Sequence, residues 1–188
     1  EIWSNNFNSF EEDSDVVPSV PVPVGVGIFI AGGNNNEIDN NRIWDNWKRG
    51  TMLLTLPDPL FGRDTEVNTT SHRNRYHNNV MGIAPDGSKM PNGVDFWWDE
   101  APGQMNNCWY DNGEVTTDPP GPLTPTDCSN TSAGVTYGAK FTGELAPCAG
   151  SIATDEYSPT CPWFVMPEKP SASGGSGGMP GLPVRASG

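Results

Sequence analysis

The chain holds 188 residues, with 10 Lys and Arg against 23 Asp and Glu and a formal charge of −13. So acidic a surface repels phosphate backbones, which sets nucleic acid aside as a partner, and it repels polyanionic sugars unless a cation bridges the two. The 22 Gly and 19 Pro suit short strands joined by many turns.

The chain opens Glu1-Ile2-Trp3-Ser4, with no initiator Met and no apolar leader, and is expected to be a processed product or a fragment. Its longest apolar stretch, residues 16–31, is broken by Pro18, Pro21 and Pro23. That stretch is too short and too interrupted for a membrane span, so no membrane insertion is expected.

Self-similarity is the most informative feature that follows. Asn41-Arg42-Ile43-Trp44-Asp45-Asn46, Asn74-Arg75-Tyr76-His77-Asn78-Asn79 and Asn107-Cys108-Trp109-Tyr110-Asp111-Asn112 align without gaps, 33 residues apart. The shared pattern is N-x-Φ-x-[DN]-N, with Φ apolar or aromatic, and Asn5-Asn6-Phe7-Asn8-Ser9-Phe10 is a fainter copy. Each segment reads as a short strand between turn formers. Ile43, Tyr76 and Trp109 point one way, and Trp44, His77 and Tyr110 the other. Asn tolerates left-handed backbone angles and bonds its own main chain. In a solenoid, Asn41, Asn74 and Asn107 would stack one strand spacing apart, about 4.8 Å, and bond one another as an Asn ladder.

This motif, with Gly27-Ile28-Phe29-Ile30-Ala31-Gly32-Gly33-Asn34 and Asn36-Glu37-Ile38-Asp39-Asn40-Asn41 before it, resembles the right-handed parallel β-helix superfamily, to which pectate lyases belong. The resemblance covers residues 1–112 and is specific for architecture rather than activity. It implies an all-β fold: a right-handed parallel β-helix solenoid of 33-residue coils over residues 1–118. Coils of that superfamily are usually shorter, which leaves room for one protruding loop per turn. Residues 53–63 and 84–93, rich in Pro, Asn, Asp and Gly, are the expected loops and would share one face. Lyases of the superfamily use an Arg or Lys base with Ca²⁺-binding aspartates, and its hydrolases carry NTD, DD and GHG motifs. None of these sets occurs here.

Two groups of residues are candidates for chemistry. Trp44, His77 and Tyr110, with Arg42 and Arg75 two residues before the first two, form an expected outward column of rings and guanidinium donors, which suits sugar rings. The competing reading puts these side chains under the protruding loops. The cluster Asp95-Phe96-Trp97-Trp98-Asp99-Glu100 offers carboxylates beside tryptophans, as in glycosidase sites. Strand alternation puts Asp95 and Asp99 on one face and Glu100 on the other, so they do not form a ready catalytic pair. His72 and His77 would likewise face apart, against a metal pair. Ca²⁺ has only a weak candidate loop, Asp86-Gly87-Ser88 with Asn92 and Asp95, so no cofactor is expected.

From residue 119 the repeat stops. Residues 119–170 hold Cys128, Cys148 and Cys161 and read as an irregular cap over the last coil, since open sheet edges need cover. With Cys108 these make four cysteines, none spaced as CxxC, which points to disulfides and an extracellular or cell-surface location rather than to four buried thiols. Four cysteines allow three pairings. Cys108–Cys128 with Cys148–Cys161 closes the shortest loops and is favoured. Asn68 and Asn130 stand in glycosylation sequons, and residues 171–188 have the composition of a flexible Gly/Ser/Pro tail.

The expected function is therefore a secreted or cell-surface β-helix module, non-catalytic, structural or in contact with polysaccharide. The alternative is the C-terminal part of a polysaccharide lyase or glycoside hydrolase whose active site lies mostly upstream.

Overall fold

The computed structural model describes residues 1–7, 22–55, 71–100, 106–120, 128, 140, 143–144, 146–148 and 160–172. The expected tail from residue 173 onward, residues 56–63 of the first expected loop, and the sequons at Asn68 and Asn130 lie outside these described residues.

Among the described residues ten short strands follow one another: β1 (Ile2–Trp3), β2 (Val26–Ala31), β3 (Glu37–Asp39), β4 (Arg42–Trp44), β5 (Arg49–Leu54), β6 (Arg75–His77), β7 (Val80–Met81), β8 (Phe96–Trp98), β9 (Cys108–Tyr110) and β10 (Thr117–Asp118). They build three parallel sheets: a first of β1, β4 and β7, a second of β2, β5, β8 and β10, and a third of β3, β6 and β9. The chain visits the first, second and third sheets in turn three times, and β10 then rejoins the second sheet, an arrangement compatible with a solenoid. Helix is almost absent among the described residues, the 3-10 turn Pro162–Phe164 being the named exception.

Period-2 alternation sorts the side chains. Ile38, Tyr76 and Trp109 from the third sheet meet Ile43 and Met81 from the first and Leu53, Phe96 and Trp98 from the second in one buried cluster. Tyr76 lies flat on Trp109, ring centroids 5.2 Å apart. The Tyr76 hydroxyl and the indole N–H groups of Trp98 and Trp109 are buried with no hydrogen-bond partner among the described residues.

The corners explain the motif. At each bend out of the third sheet, Asn40, Asn78 and Asp111 take positive φ, and an Asn follows each: Asn41, Asn79 and Asn112. The bends into the third sheet repeat this, with Asn35, Arg73 and Asn106 before Asn36, Asn74 and Asn107. Asn and Asp enter the left-handed region at least cost among residues with a Cβ, which accounts for [DN]-N. The following Asn clips one circuit to the one before it. Asn74 Oδ1 accepts the Asn36 N–H at 3.1 Å and Asn36 Nδ2 at 2.8 Å, while Asn74 Nδ2 reaches back to the Gly33 carbonyl at 2.9 Å. Asn107 repeats this on Asn74 at 2.9 and 3.1 Å. A second column runs Asn41, Asn79, Asn112. A third runs Asn5, Asn46, Asn92 between the first and second sheets.

These columns correct the expected register. Asn74 and Asn107 stack, 33 residues apart, but the residue beneath Asn74 is Asn36, at a separation of 38, and not Asn41. Asn41 instead precedes Asn79, and Ile43 pairs with Ile2 and Met81 in the first sheet rather than with Tyr76. Successive circuits differ in length: the third column spans 41 and then 46 residues. The motif occurs at two corners of one circuit, so the offset from Asn41 to Asn74 joins different corners.

The cysteine pairs are Cys108–Cys128 and Cys148–Cys161. Two disulfides suggest a protein that matures outside the cytoplasm. Cys148, Cys161, Trp163 and Phe164 pack with Met52, Leu54 and Trp97 on the outer side of the second sheet and form a second core there. Arg49 holds this strap through Glu144 at 2.5 Å and lies 4.2 Å over the Trp97 ring.

Candidate functional site

The ring column expected on one face divides between two. On the third sheet the register is Asp39, His77, Tyr110, and His77 stacks on Tyr110 with centroids 4.9 Å apart and planes 14° from parallel. Asn78 Nδ2 lies 2.9 Å from His77 Nδ1, and His77 Nε2 lies 2.9 Å from Glu37 Oε1. Arg75 is exposed between Glu37 and Cys108 in the same sheet. Trp44 lies apart from them, on the first sheet, beside Trp3.

Trp3 and Trp44 stack with centroids 5.8 Å apart and planes 8° from parallel; Trp44 is 5 % exposed and Trp3 55 %. The residues after them tie the two strands together, since Ser4 Oγ donates to Asp45 Oδ2. Trp47 Nε1 donates to Asp45 Oδ1 at 3.0 Å, and Lys169 Nζ stands 3.3 Å from the same oxygen. Burial alone would raise the Asp45 carboxyl, but the bonds from Ser4 and Trp47 and the Lys169 ammonium outweigh it and hold the group below the usual carboxylate range. Arg42 is committed elsewhere: its guanidinium donates to the Ile83 and Ala84 carbonyls, at 3.1 and 3.2 Å, and anchors the loop after β7.

The carboxylate cluster serves the main chain. Asp95 Oδ1 accepts from Asn92 Nδ2 at 2.9 Å, and Oδ2 accepts from the Thr116 N–H at 2.8 Å and hydroxyl at 2.9 Å. Asp95 therefore ends the third Asn column. Asp99 Oδ2 accepts the Thr55 N–H at 2.8 Å, and Glu100 lies 3.6 Å from Lys140 Nζ. All three are buried. Of the residues named for Ca²⁺, Asp86 accepts the Ser88 N–H at an exposed turn, while Asn92 and Asp95 bond one another inside. Among the described residues no three His, Cys, Asp or Glu side chains gather as metal ligands, and no helix is long and apolar enough to cross a membrane.

Sequence reasoning missed Trp3, Glu37 and Asp39. Glu37 and Asp39 occupy the variable positions of a perfect copy of the motif, Asn36 to Asn41, so that signal was present. Trp3 stands in Ile2-Trp3-Ser4-Asn5, which recurs as Ile43-Trp44-Asp45-Asn46 with a separation of 41, so that signal was present too. No protein-family model matches the chain, and no curated protein or solved structure matches it significantly.

Proposed function

We propose that this chain is a non-catalytic module of a secreted or cell-surface protein, a right-handed β-helix that holds uncharged polysaccharide on its ringed outer faces. The observation that carries the reading is the flat stack of half-exposed Trp3 on buried Trp44. An indole fixed from beneath offers a sugar ring a flat apolar face at little entropic cost, and Ser4, Asp45 and Lys169 beside it supply polar partners. The His77–Tyr110 stack adds a second platform across the corner formed by Asn41, Asn79 and Asn112. The charge of −13 favours neutral sugars over pectate-like polyanions.

The non-catalytic half rests on the buried carboxylates. Hydrolysis needs two titratable groups facing a scissile bond. Asp95 has both oxygens engaged in the ladder, and Asp99 accepts a main-chain N–H.

An array of uncharged oligosaccharides followed by titration tests this reading. A shallow aromatic face should bind with a dissociation constant of about 0.1–1 mM, weakened roughly tenfold by Trp3→Ala. An empty array, or binding indifferent to both Trp3→Ala and Tyr110→Ala, overturns the glycan reading. Depolymerisation of any polysaccharide by the purified chain overturns the non-catalytic one.

A further inference from the structure

The bend between β4 and β5 already holds an ammonium group, one supplied by the chain itself. Lys169 Nζ stands 3.3 Å from Asp45 Oδ1 and 5.7 Å from the centre of the Trp47 ring. Trp47 Nε1 donates to the same oxygen at 3.0 Å, and Ser4 Oγ donates to Oδ2. Carboxylate and indole are therefore fixed to each other by their own bond. They also ride on the ladder. Asp45 takes the left-handed bend at φ 56°, Asn46 after it bonds Asn5 and Asn92, and the Trp47 main-chain N–H donates to Asn6 Oδ1 at 2.8 Å. A carboxylate set beside the face of an indole is the chemistry that recognises an ammonium group, and here it is organised in advance. Lys169 is held less firmly. Its side chain is 56 % exposed against 8 % for Asp45, and so open an ion pair is worth little in water. The lysine is the partner that can leave.

We propose that Asp45 and Trp47 form a binding site for the ammonium group of an amino sugar, with Lys169 as the internal ligand that the sugar displaces. The inference rests on the reading of Trp3 as a sugar platform and extends it from uncharged to ammonium-bearing sugars. Trp3 pairs in register with Trp44, the residue before Asp45, and Ser4 ties the strand of Trp3 to the Asp45 carboxylate. Platform and carboxylate are thus neighbours. A hexosamine carries its ammonium one bond from the ring, so a short chain of such units brings rings to the indole and charge to Asp45 together. The net charge of −13 attracts cationic saccharides for the same reason that it repels polyanions. An uncharged sugar leaves the Lys169 contact in place, whereas an ammonium-bearing one competes for it.

Titration of the full chain with a β-linked glucosamine tetramer and with its fully N-acetylated counterpart tests the site, at about pH 6, where the amines are protonated. The free amine should bind about tenfold more tightly than the acetylated form. Lys169→Ala removes the internal competitor and should widen that preference by a further factor of about three to five. Asp45→Asn keeps an acceptor for Ser4 and Trp47 but removes the charge, and should abolish the preference. Lys169→Ala alters an exposed side chain, so it decides the matter even if Asp45→Asn fails to fold. Equal affinity for the two tetramers, with binding still lost in Trp3→Ala, overturns the ammonium site and leaves the platform standing. Binding of neither overturns the site too, and the array of uncharged oligosaccharides then decides the platform on its own. A preference that Lys169→Ala leaves unchanged, or that survives Asp45→Asn, arises from the diffuse acidic surface and overturns the site as well.

Discussion

Asn79 donates its main-chain N–H to Asn112 Oδ1 at 3.0 Å, and Asn112 Nδ2 returns a bond to the Tyr76 carbonyl at 3.0 Å. One side-chain amide thus serves the donor and acceptor that a bend leaves without ladder partners. Buried main-chain groups left unpaired cost about 1–3 kcal/mol each. Asn79→Ala strips the acceptor from the Asn41 N–H and the donor from the Ile38 carbonyl, and should destabilise the fold by about 2–4 kcal/mol. Asn41→Ala, at the head of the same column, removes only a bond to the Asp39 carbonyl and should cost less than about 1 kcal/mol. Urea denaturation of both variants measures the difference; equal losses would deny the ladder its role.

Close approach at the third column gives a second prediction. A Cβ on Gly27 would stand 2.6 Å from the Gly50 carbonyl oxygen and 2.9 Å from Asn46 Nδ2. Neither can retreat, since one belongs to β5 and the other to the ladder. Gly27→Ala should destabilise by about 1–3 kcal/mol. An unchanged denaturation midpoint would contradict this packing.

Stability should pass through a maximum on the alkaline side. Burial, aided by neighbouring Arg49 and opposed by Glu144, lowers the Lys48 ammonium from 10.5 to about 8. Between those values the unfolded chain holds a proton that the folded chain has lost, so stability rises with pH. Burial raises the Tyr76 phenol far above its ordinary 10.0. Above that value the unfolded chain ionises and the folded chain does not, so stability falls with pH. Lys48→Met should flatten the rise between pH 8 and 10, and Tyr76→Phe should remove the fall above it. Tyr76→Phe also deletes a buried hydroxyl without a partner, and should leave stability at neutral pH equal or about 0.5–2 kcal/mol higher. Denaturation curves measured from pH 7 to 11 decide each limb.

The strap on the second sheet depends on its disulfide. Cys148 and Cys161 close a loop of separation 13, for which chain entropy gives about 3 kcal/mol. Cys148→Ser with Cys161→Ser should lower stability by that order. It should also shift the emission of Trp163, now 1 % exposed, towards that of hydrated indole. A double variant with unaltered emission would show that Phe164, Met52 and Trp97 hold the strap unaided.

The local chemistry of this fold was legible in the sequence because each bend is built from adjacent residues. A left-handed Asp or Asn followed by a clipping Asn recurs wherever the chain turns, and Tyr76 with Trp109 follows from alternation between two such bends. Register was not legible, because several corners share one signature and the stretches between them differ in length. The segment at Asn41 consequently aligned with that at Asn74, although Asn36 is its true neighbour. Trp44 was misplaced for the same reason and belongs with Trp3. Cys148, Cys161 and Trp163 on the outside of β5 and β8 depend on contacts a hundred residues distant in the chain, which periodicity does not encode.

In the bonds from one column Asn to the next, the Oδ1 of the later Asn accepts and the earlier Asn donates in all three columns. The amide dipoles therefore align, and the stack has an electrical sense along its axis. Its first circuit presents the side-chain Oδ1 atoms of Asn5, Asn36 and Asn41, which accept no hydrogen bond from the described residues. Two such ends brought face to face would oppose oxygen to oxygen. Any chain segment that continues the ladder at this end must arrive in the same polarity, bringing N–H groups to meet it.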